Sequence, residues 1–286
     1  MTRRLRLAIP NKGRLVEPTV KLLRDAGLVF EAGERALMAR VQNYDLDILF
    51  VRTNDVVEFV TDGVAELGVT GLDLVAESGS NVPQLRKLGF GRCRLTIAVP
   101  NDSAFRAAED LAGLRVATSH LSLTSHFFES RSIPVDVIPV SGAAEVAPRL
   151  GLAEAIVDLV STGSTMVVNG LRPIEEIFSS EAVLLANPTA LRERADVLDS
   201  IQTMLSATLA ARDRKYLMMN APVAKAAELE DLLPGLESPS VIPLAHEGMI
   251  AIHAVVDADA VWSLLPRLKA AGASGILILP IEKLVP

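Results

Sequence analysis

Hydrophobic and polar positions along the first part of the chain follow two alternating patterns. Short β-branched runs such as LRLAIP (5–10), LDILFVR (46–52) and AELGVTG (65–71) are typical of buried strands. Amphipathic stretches of helical length separate them, and the first of these, 15–26, ends at Gly27, a residue that commonly stops helices. This βαβ rhythm predicts an α/β fold with parallel sheets and helices on both faces.

A second set of strands begins at position 93. We predict strands at 93–100, 114–119, 135–140 and 155–161, and helices near 122–131, 143–150 and 164–170. One or two further strands are expected within 174–188. Residues 190–214 then carry the longest helical pattern in the chain, with apolar positions spaced along one face.

The order of elements changes in the last quarter of the chain. There the pattern predicts a strand at 215–222, a helix at 223–233, strands at 240–245 and 249–256, a helix ending at Ala271 and a strand at 275–281. The order βαββαβ is typical of a ferredoxin-like domain. We therefore expect a small effector-binding module appended to an α/β enzyme.

Composition excludes several classes of function. The chain has 286 residues, half of them hydrophobic, and a mean hydropathy of +0.34, as expected of a globular protein. A net charge of −7 and only 4% aromatic residues argue against a nucleic-acid partner, although a local patch can still bind a nucleotide. Cys93 is the only cysteine, which excludes an intrachain disulfide and fits a reducing compartment.

Targeting signals are not evident in the sequence. Pro10 and the polar residues after it interrupt the apolar start before it reaches the length of a signal peptide's apolar region. No run approaches the roughly 18 apolar residues of a membrane-spanning helix. We expect a cytoplasmic protein without a membrane partner.

The segment DLVSTGST (158–165) carries the densest candidate chemistry. It lies at the carboxyl end of a predicted strand, where open α/β sheets bind ligands. Gly163 allows a ligand to approach the main chain, and the start of the next helix presents unpaired N–H groups suited to a phosphate. Hydroxyl donors flank the glycine on both sides: Thr162, Ser164 and Thr165.

Two acids accompany this turn. Asp158 precedes it on the strand, and Glu145 lies on the preceding crossover, one sugar length from a phosphate in the turn. Carboxylates so placed accept hydrogen bonds from ribose hydroxyls, so the segment outlines a receptor for ribose 5-phosphate. The plainer interpretation is that the turn only caps a helix and that Asp158 bonds a loop N–H. The full spacing favours the binding interpretation.

Other catalytic motifs find no support. The four histidines lack HExxH or paired-ligand spacing, which argues against a zinc site. The chain contains neither GxxxxGK[ST] nor GxGxxG, so Walker-type hydrolysis and Rossmann dinucleotide binding are not expected. A GxSxG elbow for Ser-His-Asp catalysis is missing too.

The pattern Glu-x5-Gly-x-Ala-x2-Ile-x-Asp-Leu-x2-Thr-Gly-x-Thr-Met over 145–166 resembles the signature of the ATP phosphoribosyltransferases, which catalyse the first step of histidine biosynthesis. The resemblance covers nearly the whole chain. Its further segments are PNKGRL (10–15), ELGVTGLDLV (66–75), NGLRPIEEI (169–177), KYLMMNAP (215–222) and ILILPIEK (276–283). Residues 215–286 resemble the C-terminal regulatory domain that only the long form of this family carries.

For the fold, the resemblance implies two catalytic lobes like those of periplasmic binding proteins, followed by a ferredoxin-like regulatory domain. Lobe I would comprise 1–92 with 180–210, and lobe II would comprise 93–179. The regulatory domain would be 211–286. Lobe II would hold the site for phosphoribosyl pyrophosphate.

For the chemistry, the resemblance implies transfer of a phosphoribosyl group from phosphoribosyl pyrophosphate to N1 of the ATP adenine, with release of pyrophosphate. Thr162, Gly163, Ser164 and Thr165 would hold the 5-phosphate, and Glu145 and Asp158 the ribose hydroxyls. The cofactor would be Mg²⁺, held mainly by substrate phosphates rather than by protein ligands.

Candidate residues for ATP and pyrophosphate follow the first strands. Lys12, Arg14 and Arg52 all stand at strand ends, with Gly71 and Asp73 as weaker candidates. Solvated surface charge is the plainer interpretation of the three cations. For Asp73 it is a helix N-cap.

The resemblance also implies feedback inhibition by histidine and a homo-oligomer, a hexamer that exchanges with dimers. The inhibitor pocket would involve Asn220, Leu236, Ser238, Ser240, Val255 and Gly275. Some relatives carry Asp where Asn220 stands, and an amide cannot pair with the ligand's amino group as a carboxylate does. Hydrophobic core is the plainer interpretation of Leu236 and Val255.

Two other functions remain open from the sequence. A solute-binding protein shares the two-lobed fold, but it would normally carry an export signal and would have no use for the βαββαβ tail. A catalytically silent regulatory subunit would bind effectors through the tail alone. The intact Glu145, Asp158 and STGST turn argue against that second alternative.

Overall fold

A computed structural model describes residues 3–33, 36–161, 163–233 and 238–285, without the side chain of Ser164. Two of the predicted site residues, Thr162 and Leu236, lie outside the described residues. The chain divides into two units, one formed by 1–21 and 28–198 and the other by 22–27 and 199–286.

The first half of unit 1 builds a six-stranded sheet. Its elements are β1 (Leu5–Pro10), α1 (Val16–Asp25), β2 (Met38–Arg40), β3 (Leu46–Val51), α2 (Asp55–Thr61), β4 (Leu67–Gly71), α3 (Leu72–Glu77) and β5 (Gln84–Lys87). β1 and β4 are almost entirely buried, as expected for strands composed mainly of apolar residues. A Cβ at Gly68 would lie 2.6 Å from Val60 and 2.8 Å from Val56, so a glycine allows α2 to pack closely on β4.

A second sheet follows in the chain. Its elements are β6 (Cys93–Pro100), β7 (Arg115–Thr118), α4 (Leu121–Ser130), β8 (Asp136–Pro139), β9 (Ala155–Val160), α5 (Ser164–Val168) and β10 (Leu171–Ser180), with 3-10 turns at Ala108–Leu111 and Ala144–Val146. The strand order is β10-β6-β9-β7-β8. Leu95, Ile97 and Val157 of this sheet pack against Phe128 of α4.

The chain then returns to the first sheet. β11 (Ala182–Ala186) pairs with β4 and β5, which completes the order β2-β3-β1-β4-β11-β5, and α6 (Pro188–Glu193) and α7 (Ala195–Arg212) follow. The chain thus crosses between the sheets after β5 and again between β10 and β11. The expected two-lobed α/β architecture is confirmed; below, lobe I denotes the first sheet with its helices and lobe II the second. The exact domain boundaries stay predictions.

Both sheets are mixed rather than parallel, which corrects the expectation of parallel sheets. β1, β3 and β4 run parallel, but β2 is antiparallel to β3 and β11 is antiparallel to β4. The short connection between β2 and β3 cannot make a parallel crossover. β11 enters from lobe II where β4 ends, with Ala182 opposite Gly71, so it must run the other way.

Several predicted helices are shorter than the pattern indicated. The expected helix at 143–150 is only the 3-10 turn at Ala144–Val146, preceded by Ala143 in the left-handed region with φ of 53°. The long helix at 190–214 is interrupted at Arg194, where φ is −134°. The alternative interpretation of Asp73 as an N-cap predicts a helix after it, but α3 begins at Leu72, directly at the end of β4 with no intervening loop.

The C-terminal part of unit 2 is a four-stranded antiparallel sheet. Its elements are β12 (Arg214–Pro222), α8 (Ala226–Leu232), β13 (Ser240–Pro243), β14 (Met249–Asp257), α9 (Val261–Ala270) and β15 (Ser274–Pro280), in the strand order β13-β14-β12-β15. Leu217 and Ile252 of the sheet pack with Leu229 and Leu264 of the helices. The predicted βαββαβ, ferredoxin-like domain is confirmed. Within the described residues, no helix is both long and apolar enough to cross a membrane.

Candidate active site

A cavity of about 320 Å³ lies in unit 1 where loops of the two lobes meet. From lobe I, the residues that follow β1, β3 and β4 line it: Lys12 to Leu15, Thr53, Asn54, Gly71, Asp73 and Leu74. From lobe II come Ser119, His120, Ser141, Gly142 and Leu159. Most of these residues stand at carboxyl ends of parallel strands, the usual place for a ligand in an open α/β sheet. We call this space the interlobe cavity.

Hydrogen bonds between neighbouring loops hold the lobe I wall together. The Asn11 N–H donates to the Val51 carbonyl at 2.8 Å, and the Thr53 hydroxyl donates to the Lys12 carbonyl at 3.5 Å. Thr70 in β4 donates in turn to the Thr53 carbonyl at 3.1 Å. The ends of β1, β3 and β4 therefore form one connected surface.

Four of the five residues predicted for ATP and pyrophosphate line the interlobe cavity: Lys12, Arg14, Gly71 and Asp73. Lys12 is exposed, and the Arg14 side chain is 35% exposed, so both cations are open to a ligand. Arg52 is exposed at the end of β3, but it is not among the described residues that line the cavity.

Asp73 is a buried centre of contacts rather than an open ligand-binding group. Its side chain is 2% exposed, and its Oδ2 lies 3.3 Å from Nε2 of His120. Oδ1 accepts a hydrogen bond from the Ser180 hydroxyl and lies 3.8 Å from the Arg14 guanidinium. The helix α3 begins at Leu72 after Gly71, so Asp73 lies inside the first turn and does not cap it.

Electrostatics keep the Asp73 carboxyl ionised. Burial raises its pKa, but hydrogen bonds from His120 and Ser180 and the attraction of His120 and Arg14 outweigh burial, and the pKa lies below its ordinary value. Gly71 makes room for this carboxylate, because a Cβ at that position would lie 2.3 Å from Asp73 Oδ1. The predicted glycine thus serves the cavity through Asp73.

The two acids predicted to bind ribose lie close enough to interact. Glu145 is half-buried on the 3-10 turn, and Asp158 is half-buried on β9, where its Oδ1 accepts the Leu159 N–H at 2.8 Å. Burial raises the Asp158 pKa most strongly, the hydrogen bond from the Leu159 N–H opposes it, and the charge of Glu145 raises the pKa further against a smaller lowering by His120. These carboxylates therefore repel each other in a partly desolvated place, and hydroxyl donors would relieve that repulsion.

The predicted phosphate turn is described only in part. Gly163 has φ of 79° in the left-handed region and precedes α5, and Thr165 is exposed. The Thr165 carbonyl is engaged by the Asn169 side chain at 2.9 Å. Gly163 lines a different cavity of about 730 Å³, together with Arg94 and Thr96, rather than the interlobe cavity. Thr162 and the Ser164 side chain fall outside the described part of the chain.

The sequence did not single out several residues of the lobe II wall. His120 is 4% exposed directly after β7, and Ser119, Ser141 and Gly142 line the cavity beside it. For His120, the sequence pattern indicated only that it lacks the spacing of a zinc ligand. A signal was present, because these residues follow predicted strands just as Lys12 and Arg14 do.

The described protein groups do not form a metal site by themselves. Among the described residues, no three His, Cys, Asp or Glu side chains come together in a way that could hold a metal ion. Asp73, the acid in the interlobe cavity, already has His120, Ser180 and Arg14 as partners.

Of the residues predicted for an inhibitor, Asn220, Ser240, Val255 and Gly275 lie on the sheet of unit 2. Asn220 on β12 is beside Gly275 on β15, where a Cβ would lie 3.4 Å from the Asn220 amide nitrogen. Asn220 pairs with Ala251 of β14, whereas Val255 pairs with Tyr216, four positions away. Ser240 lies on the outer strand β13 and pairs with His253 of β14, and Ser238 precedes β13. Asn220 and Gly275 are therefore neighbours on the sheet, whereas Val255 lies away from them.

Comparison with known proteins identifies relatives of this chain. A family model described as ATP phosphoribosyltransferase matches residues 52–207, and one described as HisG, C-terminal domain, matches 211–283. The ATP phosphoribosyltransferase of Methanosarcina barkeri is 45% identical over 99% of this chain and 100% of its own length. That of Gemmatimonas aurantiaca is 47% identical over the same shares of the two chains.

A solved structure supports the fold of the catalytic region. The ATP phosphoribosyl transferase (HisG:HisZ) complex from Thermotoga maritima matches with a TM-score of 0.64 and 29% identity. The match covers 72% of this chain and 98% of that chain.

Proposed function

The chain belongs to the ATP phosphoribosyltransferase family of pentosyltransferases, and we propose that it transfers the phosphoribosyl group of phosphoribosyl pyrophosphate to N1 of ATP in the interlobe cavity. One observation carries this assignment to the cavity. Cations and hydroxyls from the strand ends of both lobes line a single space. His120 also lines this space, and its electrostatic attraction lowers the pKa of Asp158, the candidate for ribose binding. A substrate held between the lobes would contact both walls.

The acid pair suits a ribose. Asp158 and Glu145 need hydrogen-bond donors that carry no negative charge, and neighbouring sugar hydroxyls provide them. Such donors favour the ionised carboxylate, so binding would lower the raised Asp158 pKa and release a proton near that pKa. Binding of the sugar should therefore weaken as the pH falls through this range.

The transfer itself requires positioning and charge stabilisation. The adenine N1 attacks the anomeric carbon, the bond to pyrophosphate breaks, and positive charge develops on the ribose ring. The nearby carboxylates would stabilise that charge, so no protein nucleophile is needed. Lys12 and Arg14, both exposed in the cavity wall, would neutralise the departing pyrophosphate.

Mg²⁺ would supply further neutralisation of the pyrophosphate when bound. Because Asp73 is occupied by other partners, the metal would be held by substrate phosphates with little help from this chain. By the family signature, the turn around Gly163 would hold the 5-phosphate, although Gly163 lines the cavity beside Arg94 and Thr96 rather than the interlobe cavity. A cytoplasmic location accompanies the proposal, since both substrates are metabolites of that compartment.

Regulation by histidine belongs to unit 2 in this proposal. The match of residues 211–283 to the C-terminal domain of the family supports a small-molecule site there, and Asn220 lies beside Gly275, which has no side chain to cover it. We propose that histidine binds beside these two residues and inhibits transfer, and that the protein forms a homo-oligomer.

A direct assay tests the catalytic proposal. Protein is mixed with ATP, Mg²⁺ and phosphoribosyl pyrophosphate, and the ultraviolet absorbance of phosphoribosyl-ATP is followed. We expect product from the wild type and a loss of orders of magnitude in Asp158→Ala with an unchanged circular-dichroism spectrum. A folded wild type that binds ATP without turnover would refute the proposal and favour a binding or regulatory role.

Adding histidine to the same assay tests regulation. Inhibition should weaken in Gly275→Val, whose side chain would crowd Asn220, while turnover without histidine stays at the wild-type level. An unchanged inhibition curve in that variant would place the effector elsewhere. Light scattering on the same samples measures the oligomeric state.

A further inference from the structure

His120 is held rigidly between the lobes. Its main-chain N–H donates to the Thr118 hydroxyl at 2.9 Å, and its Nδ1 lies 3.1 Å from the Ser119 hydroxyl. Its Nε2 faces the Asp73 carboxylate of lobe I at 3.3 Å. Because an ionised carboxylate only accepts hydrogen bonds, Nε2 must carry a hydrogen and donate the hydrogen bond. Both ring nitrogens are therefore engaged, and the orientation of the ring is determined.

Through Asp73, His120 of lobe II is connected to a cation in the lobe I wall of the cavity. The Asp73 carboxylate is too buried to reach a substrate, but the Arg14 guanidinium beside it is 35% exposed in the same cavity. His120 from lobe II and Arg14 from lobe I thus converge on one buried carboxylate. Loss of the His120 donor would leave that carboxylate short of a partner and free to rotate.

A second contact between the same elements supports this arrangement. Glu77, one helical turn after Asp73 on α3, accepts the N–H groups of Ser122 at 2.8 Å and Leu123 at 3.0 Å at the start of α4. Two acids of α3 therefore contact the segment of lobe II that begins at His120. The position of His120 relative to α3 is consequently well defined.

We propose that His120 is a positioning residue for phosphoribosyl transfer, which holds Asp73 from the opposite lobe so that Arg14 faces the pyrophosphate in the interlobe cavity. The inference rests on the proposed function and adds to it a residue outside the family signature. His120 does not touch the substrate in this proposal. It acts through Asp73 on the orientation of Arg14 and on the separation of the two walls.

The test compares two substitutions of His120. His120→Phe fills the site but has no donor, whereas the amide of His120→Gln can still donate near the position of Nε2. A hydrogen bond to a charged group is worth about 10- to 100-fold in an equilibrium or a rate. We expect kcat/KM for phosphoribosyl pyrophosphate and the affinity for pyrophosphate, measured by calorimetry, to fall by about this factor in His120→Phe. His120→Gln should recover most of both.

A double-mutant cycle with Arg14→Gln shows whether the effect passes through Arg14. If it does, His120→Phe should cost little in the Arg14→Gln background, because the interaction that it disturbs is already lost. Thermal unfolding of each variant serves as the stability reference. The exposed His126 of α4 provides the matched control, as His126→Gln should leave kinetics and pyrophosphate affinity unchanged.

Each outcome decides the matter. Equal, additive losses in both Arg14 backgrounds, or wild-type kinetics in a folded His120→Phe, would overturn the positioning role. If His120→Phe does not fold, Ser119→Ala, which frees Nδ1, takes its place, and we expect a several-fold loss of pyrophosphate affinity that is absent in the Arg14→Gln background. An unaltered affinity in Ser119→Ala with Arg14 intact would overturn the proposal as well. An inactive wild type would instead refute the proposed function.

Discussion

The contact of Glu77 with α4 leads to a quantitative prediction about stability. Helix α4 has His120 at its N-cap position, and no side chain of its own caps the helix. Both carboxylate oxygens of Glu77 accept the N–H groups of the second and third helical residues, Ser122 and Leu123. An acid from lobe I thus performs the role that an N-cap side chain usually has.

The expected cost of Glu77→Ala follows from that geometry. Removing an N-cap acceptor costs about 0.5–2 kcal/mol, and a negative charge at a helix N-terminus contributes roughly 0.3–1 kcal/mol. The two effects overlap, and Glu77 is only half-buried, so we expect a loss of about 1–2 kcal/mol in the free energy of unfolding. For a protein of this size that corresponds to a melting temperature lower by about 2–8 °C.

Calorimetric unfolding at neutral pH measures this change. Glu129→Ala is the matched control, because Glu129 lies near the other end of α4, where a carboxylate opposes the helix dipole. The control removes the same charge and should leave the melting temperature unchanged or slightly higher. Glu77→Gln, which keeps one acceptor, should fall between the wild type and Glu77→Ala. Equal melting temperatures for Glu77→Ala and Glu129→Ala would refute the reasoning.

Two further predictions concern packing and charge. Gly68→Ala should destabilise by about 1–3 kcal/mol in denaturant unfolding, because its Cβ would overlap Val60 and Val56. Gly33→Ala, whose Cβ would meet no neighbour within 4 Å among the described residues, should not destabilise, and equal midpoints for the two variants would contradict this. Asp158→Asn should be inactive yet at least as stable as the wild type at neutral pH. In the folded protein the pKa of Asp158 is raised above its ordinary value, so ionisation of this carboxyl lowers the free energy of unfolding as the pH rises through its pKa. The amide of Asp158→Asn does not ionise and avoids this loss. A lower melting temperature of the variant at pH 7 would contradict the prediction.

The strands were the most predictable part of the fold. The predictions for 5–10 and 93–100 agree with the observed strands to the residue, because these runs are buried along almost their whole length. The start of α3 escaped prediction because the helix has six residues and begins directly after Gly71, without the loop that normally separates strand and helix. Local periodicity cannot reveal an element of that length.

The residues of the site also differ in how far the sequence predicted them. The places of Lys12 and Arg14 in the cavity wall could be anticipated, since both follow the predicted strand 5–10. That Glu145 and Asp158 bind ribose stays a prediction. The role of Asp73 could not be anticipated, because its partners His120 and Ser180 are 47 and 107 residues away. Arg52, anticipated by the same strand-end argument, remains exposed outside the interlobe cavity.

The amino-acid sequence by itself determined most of the strands, the βαββαβ order of the last domain and the family signature at 145–166. Each of these depends on local spacing, which reports how one element is buried. The tertiary structure alone decided that the sheets are mixed and that Asp73, His120 and Arg14 meet between the lobes. Those contacts depend on strand order and on where the chain crosses between sheets, and no local pattern encodes either.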